Sequence, residues 1–250
     1  MIFRGNEFAE KLVADLQLRI GQLSRRPKLV VIVDPANSSG MKYTLLKQKM
    51  AHILGVEFKI YETQSIEEAT QIIKKSNADI QIDGVMIQMP FPSSETLIDL
   101  IDPKKDVDGL REDSPYQPAA VRAVMEILYN ALSDPPLNLR GGRKRELLVV
   151  GSRGFVGSRL VKELHCEGLD IGDDLNKLKA ADVIISATGQ PGLIKPEMVK
   201  EGVVAIDVGY PQPEFTAAAL SKASFFTPVP GGVGPVTVVM LFANLLEATA

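Results

Sequence analysis

Residues 147–157 read LLVVGSRGFVG, and this stretch decides the fold. The four leading apolar residues predict a strand buried on both faces, and an apolar stripe over residues 160–164 predicts a helix after the turn. The turn carries three glycines: Gly151, Gly154 and Gly157. A strand, a glycine-rich turn and a helix in this order are typical of dinucleotide-binding folds, because backbone amides at the helix start can meet a pyrophosphate. A tight turn without any ligand is the other interpretation of the same glycines.

Strand-like and helix-like segments alternate along the chain, which is typical of parallel sheets covered by crossover helices. The sequence therefore predicts an α/β fold. Gly55 predicts the end of one helix, and Ser65 with Glu68 predicts a capping box at the start of another. A final helix is predicted after Gly234, and we expect its apolar residues to pack on the first domain. Besides residues 147–150, strands are predicted over residues 29–33, 56–60, 85–87, 183–185 and 203–208, and helices over residues 8–23, 41–54 and 66–73.

A linker is predicted over residues 133–145, which contain two adjacent prolines and two adjacent glycines and show no apolar period. A second domain is predicted to begin after this linker. Residues 1–119 are expected to form an N-terminal α/β domain, completed by residues 235–250. Residues 120–234 are expected to form a Rossmann-like dinucleotide-binding domain.

Composition excludes several classes of function. The 250 residues include 28 Lys plus Arg and 31 Asp plus Glu, a net charge of −3, so no basic surplus is available for nucleic acid. The apolar runs are too short to cross a membrane, and residues 1–7 lack the apolar core of a secretory signal, so we expect a cytoplasmic protein. With only Cys166, His52 and His165 as soft ligands, we expect no metal site.

Four further features of the sequence are candidates for a binding or catalytic site. Gln88 follows a predicted strand, at the carboxyl end where open parallel sheets bind ligands. Tyr43 and Lys47 lie four residues apart on one helix face. Residues 105–109 read KDVDG, and residues 228–235 read PVPGGVGP, which suggests close approach to a ligand. Taken singly, such features are more often solvated pairs, charged turns or rigid loops.

Together and in this order, these features resemble the methylenetetrahydrofolate dehydrogenase/cyclohydrolase family, called FolD in bacteria. The resemblance spans nearly the whole chain and implies that the N-terminal domain binds folate. It implies a bifunctional enzyme that oxidises 5,10-methylenetetrahydrofolate to the methenyl form with NADP, or alternatively with NAD. The enzyme then hydrolyses that product to 10-formyltetrahydrofolate. The resemblance also implies a homodimer and a cleft between two α/β domains. The motifs are Tyr43-x-x-x-Lys47, Gln88-Met89-Pro90, Lys105-Asp106-Val107-Asp108-Gly109, the turn from Gly151 to Gly157, and Thr227-Pro228-Val229-Pro230-Gly231-Gly232-Val233-Gly234-Pro235.

By this resemblance Lys47 is the central catalytic residue, acting with Tyr43, Gln88 and Asp108. Opening the methenyl ring requires a water to lose a proton and a nitrogen to gain one, which an amine can do near neutral pH only if its pKa is lowered. Gln88 would orient Lys47 without adding charge, and Tyr43 would stack on the folate. Asp108 would accept hydrogen bonds from the amino-pyrimidine edge of the pterin.

The resemblance also implies two sets of binding residues. Asp170 lies 170 − 151 = 19 residues after Gly151, where an acidic residue typically binds a ribose 2′-hydroxyl and repels a 2′-phosphate. A solvated turn residue is the other interpretation of Asp170. Substrate contacts are expected at Tyr43, Gln88, Met89, Pro90, Asp106, Asp108, Pro230, Gly231, Gly232 and Thr237. Cofactor contacts are expected at Gly151, Ser152, Arg153, Val156, Gly157, Asp170, Thr188, Gly189 and Gly209.

The nucleotide domain departs from the family pattern. The family loop reads Gly-Arg-Ser-x-x-Val-Gly-x-Pro, whereas residues 151–159 here read GSRGFVGSR. Residues 167–174 lack the family's His-Ser-x-Thr stretch, so this region looks shortened. Three alternatives therefore stay open: a cyclohydrolase that has lost the oxidation step, a non-catalytic folate-binding or scaffold protein, and a different Rossmann oxidoreductase.

Overall fold

The computed structural model describes residues 1–131 and 146–249, so the predicted linker over residues 133–145 lies outside the described residues. The chain divides into two compact units. We call Glu10–Ala119 with Val238–Ala250 the N-terminal unit, and Met1–Ala9 with Ala120–Thr237 the central unit. The boundaries of the functional domains, and the cleft, stay predictions.

The N-terminal unit is built on a three-stranded parallel sheet in the order β2-β1-β3. Residues 29–33 of the middle strand are fully buried, as expected for a strand covered on both faces. One side of the sheet packs against α3 through Ala69, Ile72 and Ile73. The strands are β1 (Lys28–Val33), β2 (Glu57–Glu62) and β3 (Gly84–Gln88), and the helices in this part of the chain are α1 (Gly5–Gly21), α2 (Ser38–Leu54), α3 (Ile66–Ala78) and α4 (Ser94–Ile98).

Local signals set the helix ends much as the sequence predicts. Gly55 ends α2 in the left-handed region, with φ +73°, which glycine adopts without strain. The Ser65 hydroxyl accepts the Glu68 N–H at 3.2 Å at the start of α3. The Glu68 carboxylate accepts the Thr63 hydroxyl at 2.6 Å instead of reaching back to Ser65, so the predicted capping box is only half formed.

The central unit contains a five-stranded parallel sheet in the order β5-β4-β6-β7-β8. The chain passes from β4 to one neighbour, β5, and then crosses to β6 on the other side of β4. This reversal between β4 and β6 is the switch point at which open α/β sheets bind ligands. The strands are β4 (Leu147–Val150), β5 (Glu167–Leu169), β6 (Val183–Ser186), β7 (Val204–Asp207) and β8 (Phe225–Phe226), and the remaining helices are α5 (Ala119–Glu126), α6 (Phe155–Leu164), α7 (Ala217–Leu220) and α8 (Val233–Thr249).

Residues near both ends of the chain form hydrogen bonds with residues that are distant in the sequence. Phe3 N–H donates to the Phe226 carbonyl at 2.9 Å, and Phe226 N–H donates to the Met1 carbonyl at 3.0 Å. The first residues therefore extend the edge of the sheet at β8, which explains why residues 1–9 group with the central unit. In the last helix, Asn244 Nδ2 donates to the carbonyls of Val107 and Gln117, both at 2.9 Å. The expectation that this helix packs on the first part of the chain is confirmed.

The α/β fold class is confirmed, and every predicted strand is present. The apolar pattern did not predict β5, α7 and β8, because elements of two to four residues are too short to show a period. The segment from Asp170 to Asp182 between β5 and β6 contains only a short 3₁₀ helix, Leu175–Lys179. No helix within residues 1–131 and 146–249 is long and apolar enough to cross a membrane.

Candidate active site

The Lys47 side chain lies on the buried face of α2 and is only 7% exposed. Its Nζ donates a 2.8 Å hydrogen bond to Gln88 Oε1, at the carboxyl end of β3, and lies 3.7 Å from Met86 Sδ. The Gln88 Nε2 donates in turn to the Met89 carbonyl at 3.1 Å, which fixes the amide with its oxygen facing the lysine. The structure thus brings together Lys47 and Gln88, which lie 41 positions apart in the sequence.

Asp108 is the charged neighbour of Lys47. Burial lowers the pKa of the Lys47 ammonium, and the Asp108 carboxylate opposes part of that shift. Burial likewise raises the pKa of Asp108, while the charge of Lys47 lowers it. Each group therefore favours the charged form of the other, a relation that the sequence reasoning did not include.

The segment that carries Asp108 is held by its own charged residues. The Lys105 Nζ donates to three backbone carbonyls at the end of α3, those of Ser76, Asn77 and Asp79, at 2.8 to 3.0 Å. Asp106 is 1% exposed, and its carboxylate accepts the Arg111 N–H at 2.8 Å. Burial raises the pKa of Asp106 to about 6. The Asp106 carboxylate thus stabilises its own loop, and its contact with substrate stays a prediction.

The other predicted substrate residues fall in both units. Tyr43 lies one turn before Lys47 on α2 and is half-buried, while Met89 is 42% exposed and precedes the exposed Pro90. In the central unit, Thr237 donates its hydroxyl to the Val233 carbonyl at 3.1 Å inside α8. Pro230, Gly231 and Gly232 directly precede this helix.

The glycine-rich turn after β4 brings backbone so close together that two of its positions have no room for a side chain. A Cβ on Gly157, in the first turn of α6, would lie 2.0 Å from the Gly151 carbonyl oxygen. Gly151 itself has φ +91°, and its Cβ would lie 2.4 Å from the Ala187 carbonyl oxygen. Both positions therefore require glycine, and they bring the amides at the start of α6 to the carboxyl end of β4.

Asp170 lies beside this turn, as predicted. Its carboxylate accepts the backbone N–H of Arg153 and of Ile171, both at 2.8 Å. The hydrogen bond from Arg153 lowers the pKa of Asp170, so the group is charged at neutral pH. The Arg153 guanidinium lies 3.5 Å from the Asp173 carboxylate. The carboxylates of Asp170 and Asp173, just after β5, therefore both interact with Arg153, the first through its backbone and the second through its guanidinium.

The remaining predicted cofactor residues lie along the carboxyl edge of the same sheet. Thr188 and Gly189 follow β6, Gly209 follows β7, Ser152 lies in the glycine turn, and Val156 lies in the first turn of α6. Parallel strands present their carboxyl ends at one edge, so these positions are brought to one side of the central unit.

Sequence reasoning missed two buried carboxylates in the central unit, Asp207 and Glu214, each 1% exposed. Asp207 ends β7 as Gln88 ends β3, so the rule that singled out Gln88 could have found it. No sequence pattern marks Glu214, which reaches its partners only in the folded chain. Among the described residues, no group of three or more His, Cys, Asp or Glu could hold a metal ion.

Two sequence models of one family match this chain. The NAD(P)-binding domain of tetrahydrofolate dehydrogenase/cyclohydrolase matches residues 118–250, and the catalytic domain of the same family matches residues 3–108. The chain belongs to the tetrahydrofolate dehydrogenase/cyclohydrolase family. This confirms the resemblance in the motifs and excludes a different Rossmann oxidoreductase.

Relatives within the tetrahydrofolate dehydrogenase/cyclohydrolase family match from end to end. The bifunctional protein FolD of Staphylococcus carnosus is 32% identical over 280 residues, covering 99% of this chain and 96% of the relative. That of Hydrogenobaculum is 32% identical over 286 residues, covering 99% and 98%. The first match extends over 280 positions, so the Staphylococcus carnosus protein has residues within the matched region that have no counterpart in the 250 residues of this chain.

Solved structures of this family superpose on the chain. The bifunctional FolD of Campylobacter jejuni has a TM-score of 0.89 at 26% identity, covering 100% of this chain and 98% of that structure. The FolD of Trypanosoma brucei, complexed with NADP cofactor and inhibitor, has a TM-score of 0.87 at 26% identity, covering 100% and 97%. The short segment between β5 and β6 is compatible with the complete family fold.

Proposed function

We propose that the protein is a bifunctional one-carbon folate enzyme. It oxidises 5,10-methylenetetrahydrofolate to 5,10-methenyltetrahydrofolate with NADP or NAD, and hydrolyses the product to 10-formyltetrahydrofolate. The observation that carries this proposal is the buried Lys47 ammonium, held 2.8 Å from Gln88 Oε1 and coupled to Asp108. The names of the full-length relatives, all bifunctional FolD proteins, support both activities.

Hydrolysis is assigned to Lys47. Water adds to the methenyl carbon and loses a proton. The resulting hydroxyl loses its own proton as the carbonyl forms and the bond from that carbon to N5 breaks, and N5 gains a proton, which leaves the formyl group on N10 and releases one proton to solvent overall. An amine whose pKa is lowered by burial can take the first proton and return it. Gln88 orients the amine through its Oε1, and Asp108 and Tyr43 bind the pterin. Because the substrate is a cation, its binding further favours the neutral amine.

Oxidation is assigned to the glycine turn and the carboxyl edge of the central sheet. A dinucleotide, when bound, would supply the redox chemistry by taking the hydride. The protein would contribute orientation: Gly151 and Gly157 leave room for a pyrophosphate at the helix start, and Asp170, beside the same turn, would bind the ribose. The cyclohydrolase-only alternative is disfavoured, because the turn keeps its two required glycines and the NAD(P)-binding domain of the family matches residues 118–250.

The hydrolysis half is tested by giving the purified protein 5,10-methenyltetrahydrofolate without any dinucleotide. We expect the methenyl absorbance to decay with enzyme concentration and 10-formyltetrahydrofolate to accumulate in equal amount. A decay no faster than that in buffer would contradict the proposal and would favour the non-catalytic folate-binding alternative.

We also propose that the protein acts in the cytoplasm as a homodimer, as the family resemblance implies.

Asp108→Asn is expected to change both folate affinity and the pH profile. An amide places a donor where a carboxylate offers only acceptors, so the dissociation constant for the folate should rise by about tenfold or more. The Asp108 charge raises the pKa of Lys47, so its removal should lower that pKa and move the rising limb of the hydrolysis rate to lower pH. Titration with folate and the pH dependence of kcat measure the two effects. Unchanged affinity would refute the pterin contact, and an unmoved limb would refute the coupling.

Asp170→Asn is expected to favour NADP. The carboxylate at the end of β5 repels a 2′-phosphate, so its neutralisation should raise the ratio of kcat/KM for NADP to that for NAD by about tenfold. Glu163→Gln removes an exposed carboxylate on α6 and should leave the ratio unchanged. Steady-state rates with both cofactors check this, and an equal ratio in Asp170→Asn and the wild type would refute the assignment.

A further inference from the structure

The Glu214 side chain accepts hydrogen bonds from the backbone of Thr188 and Gly189, which follow β6. It lies in the loop after β7, and its carboxylate is 1% exposed. One oxygen, Oε2, accepts the Thr188 N–H at 2.8 Å, the Thr188 hydroxyl at 2.7 Å and the Ser186 hydroxyl. The other, Oε1, accepts the Gly189 N–H at 2.7 Å. Four donors from three residues thus converge on one buried carboxylate.

A second buried carboxylate holds Glu214 itself. Asp207 Oδ2 accepts the backbone N–H of Glu214 at 2.8 Å and that of Phe215 at 3.1 Å. Its other oxygen accepts the Gly209 N–H at 2.9 Å. The two carboxylates thus form a chain of contacts. Asp207 stabilises the loop after β7 by binding its backbone at Glu214 and Phe215. Glu214 connects that loop to the backbone after β6.

The tied backbone lies at the switch point of the central sheet. The loops that leave β4 and β6 there touch each other, since a Cβ on Gly151 would lie 2.4 Å from the Ala187 carbonyl oxygen and 3.0 Å from the Thr188 nitrogen. Thr188 therefore lies directly against the glycine turn. Glu214 is linked in this way to the turn without belonging to it.

We propose that Glu214 is a positioning residue for the dinucleotide: it sets Thr188 and Gly189 against the glycine turn, so that the crevice is formed before the cofactor binds. This inference rests on the proposed oxidation step. A crevice that is already ordered does not lose conformational freedom on binding, and a correctly held cofactor reacts faster. Glu214 should therefore affect dinucleotide KM and the oxidation rate, and not the hydrolysis assigned to Lys47.

Glu214→Gln tests the proposal with almost no change in shape. Each carboxylate oxygen accepts a fixed backbone N–H, so either orientation of the amide sets its NH₂ group against one of them. We expect at least a tenfold rise in KM for the dinucleotide, a lower oxidation kcat, and methenyl hydrolysis within twofold of wild type. Glu214→Asp keeps the charge and should restore part of the loss. Glu201→Gln, an exposed carboxylate in the same unit, should behave as wild type.

Several outcomes would overturn the proposal. A folded Glu214→Gln protein with wild-type KM and kcat for oxidation would do so, and so would equal losses of oxidation and hydrolysis, which indicate a purely structural role. If Glu214→Gln does not fold, Glu214→Asp decides by the same split between the two activities. A titration of the wild type with NADP and NAD comes first, because a wild type that binds neither refutes the oxidation step itself.

Discussion

Replacing Lys47 by methionine is expected to lower methenyltetrahydrofolate hydrolysis by about a hundredfold or more while the protein stays folded. Methionine keeps an apolar stem of similar length in a site that is 7% exposed, but it removes the amine that moves the proton. Hydrolysis is followed by the loss of methenyl absorbance, and folding by circular dichroism and thermal melting. Oxidation should remain measurable, since hydride transfer requires orientation and not this proton transfer.

Lys49→Met is the matched control. Lys49 lies on the same helix, two residues further on, and is exposed, so the same change of chemistry should leave both reactions near the wild-type rate. If Lys47→Met is folded and still hydrolyses the substrate within a few-fold of wild type, Lys47 is not the proton-transfer residue.

Gly157→Ala is expected to abolish dinucleotide binding and with it the oxidation of methylenetetrahydrofolate. The added methyl carbon would lie 2.0 Å from the Gly151 carbonyl oxygen, a backbone atom that cannot move without displacing the start of α6. Hydrolysis should survive, because Lys47, Gln88 and Asp108 all lie in the N-terminal unit. Calorimetric titration with NADP and NAD, together with both rates, checks this prediction.

Gly21→Ala is the control for Gly157→Ala. Gly21 ends α1, and an added Cβ there meets no atom within 4 Å, so both activities should be retained. Wild-type dinucleotide affinity in Gly157→Ala would contradict the placement of the cofactor at this turn. The variants Lys47→Met and Gly157→Ala should thus remove one activity each.

The sequence was sufficient to predict the features that depend on local pattern. Continuous apolar runs predicted β1, β3 and β4, and Gly55 and Ser65 predicted helix ends, because these signals act within a few residues. The rule that ligands bind at the carboxyl ends of parallel strands singled out Gln88, and the structure places its Oε1 2.8 Å from Lys47 Nζ, a contact that the family resemblance implied.

Features that depend on contacts far apart in the chain were not predictable in the same way. The pairing of Phe3 with Phe226 joins the first residues of the chain to β8, and no period in residues 1–9 indicates it. The coupling of Lys47 to Asp108 depends on the distance that folding creates between α2 and a loop. Glu214 follows no motif, and its role depends on donors from Ser186, Thr188 and Gly189 that converge only in the folded protein.

We propose that one chain carries both steps. The most direct test is methylenetetrahydrofolate oxidation by the purified wild-type protein, with NADP and NAD in parallel and the methenyl product quantified after an acid quench. Turnover with at least one dinucleotide, by the same preparation that hydrolyses added methenyltetrahydrofolate, is the predicted result. No oxidation with either dinucleotide, while hydrolysis proceeds, would contradict the claim and leave a cyclohydrolase whose nucleotide domain has lost its redox role.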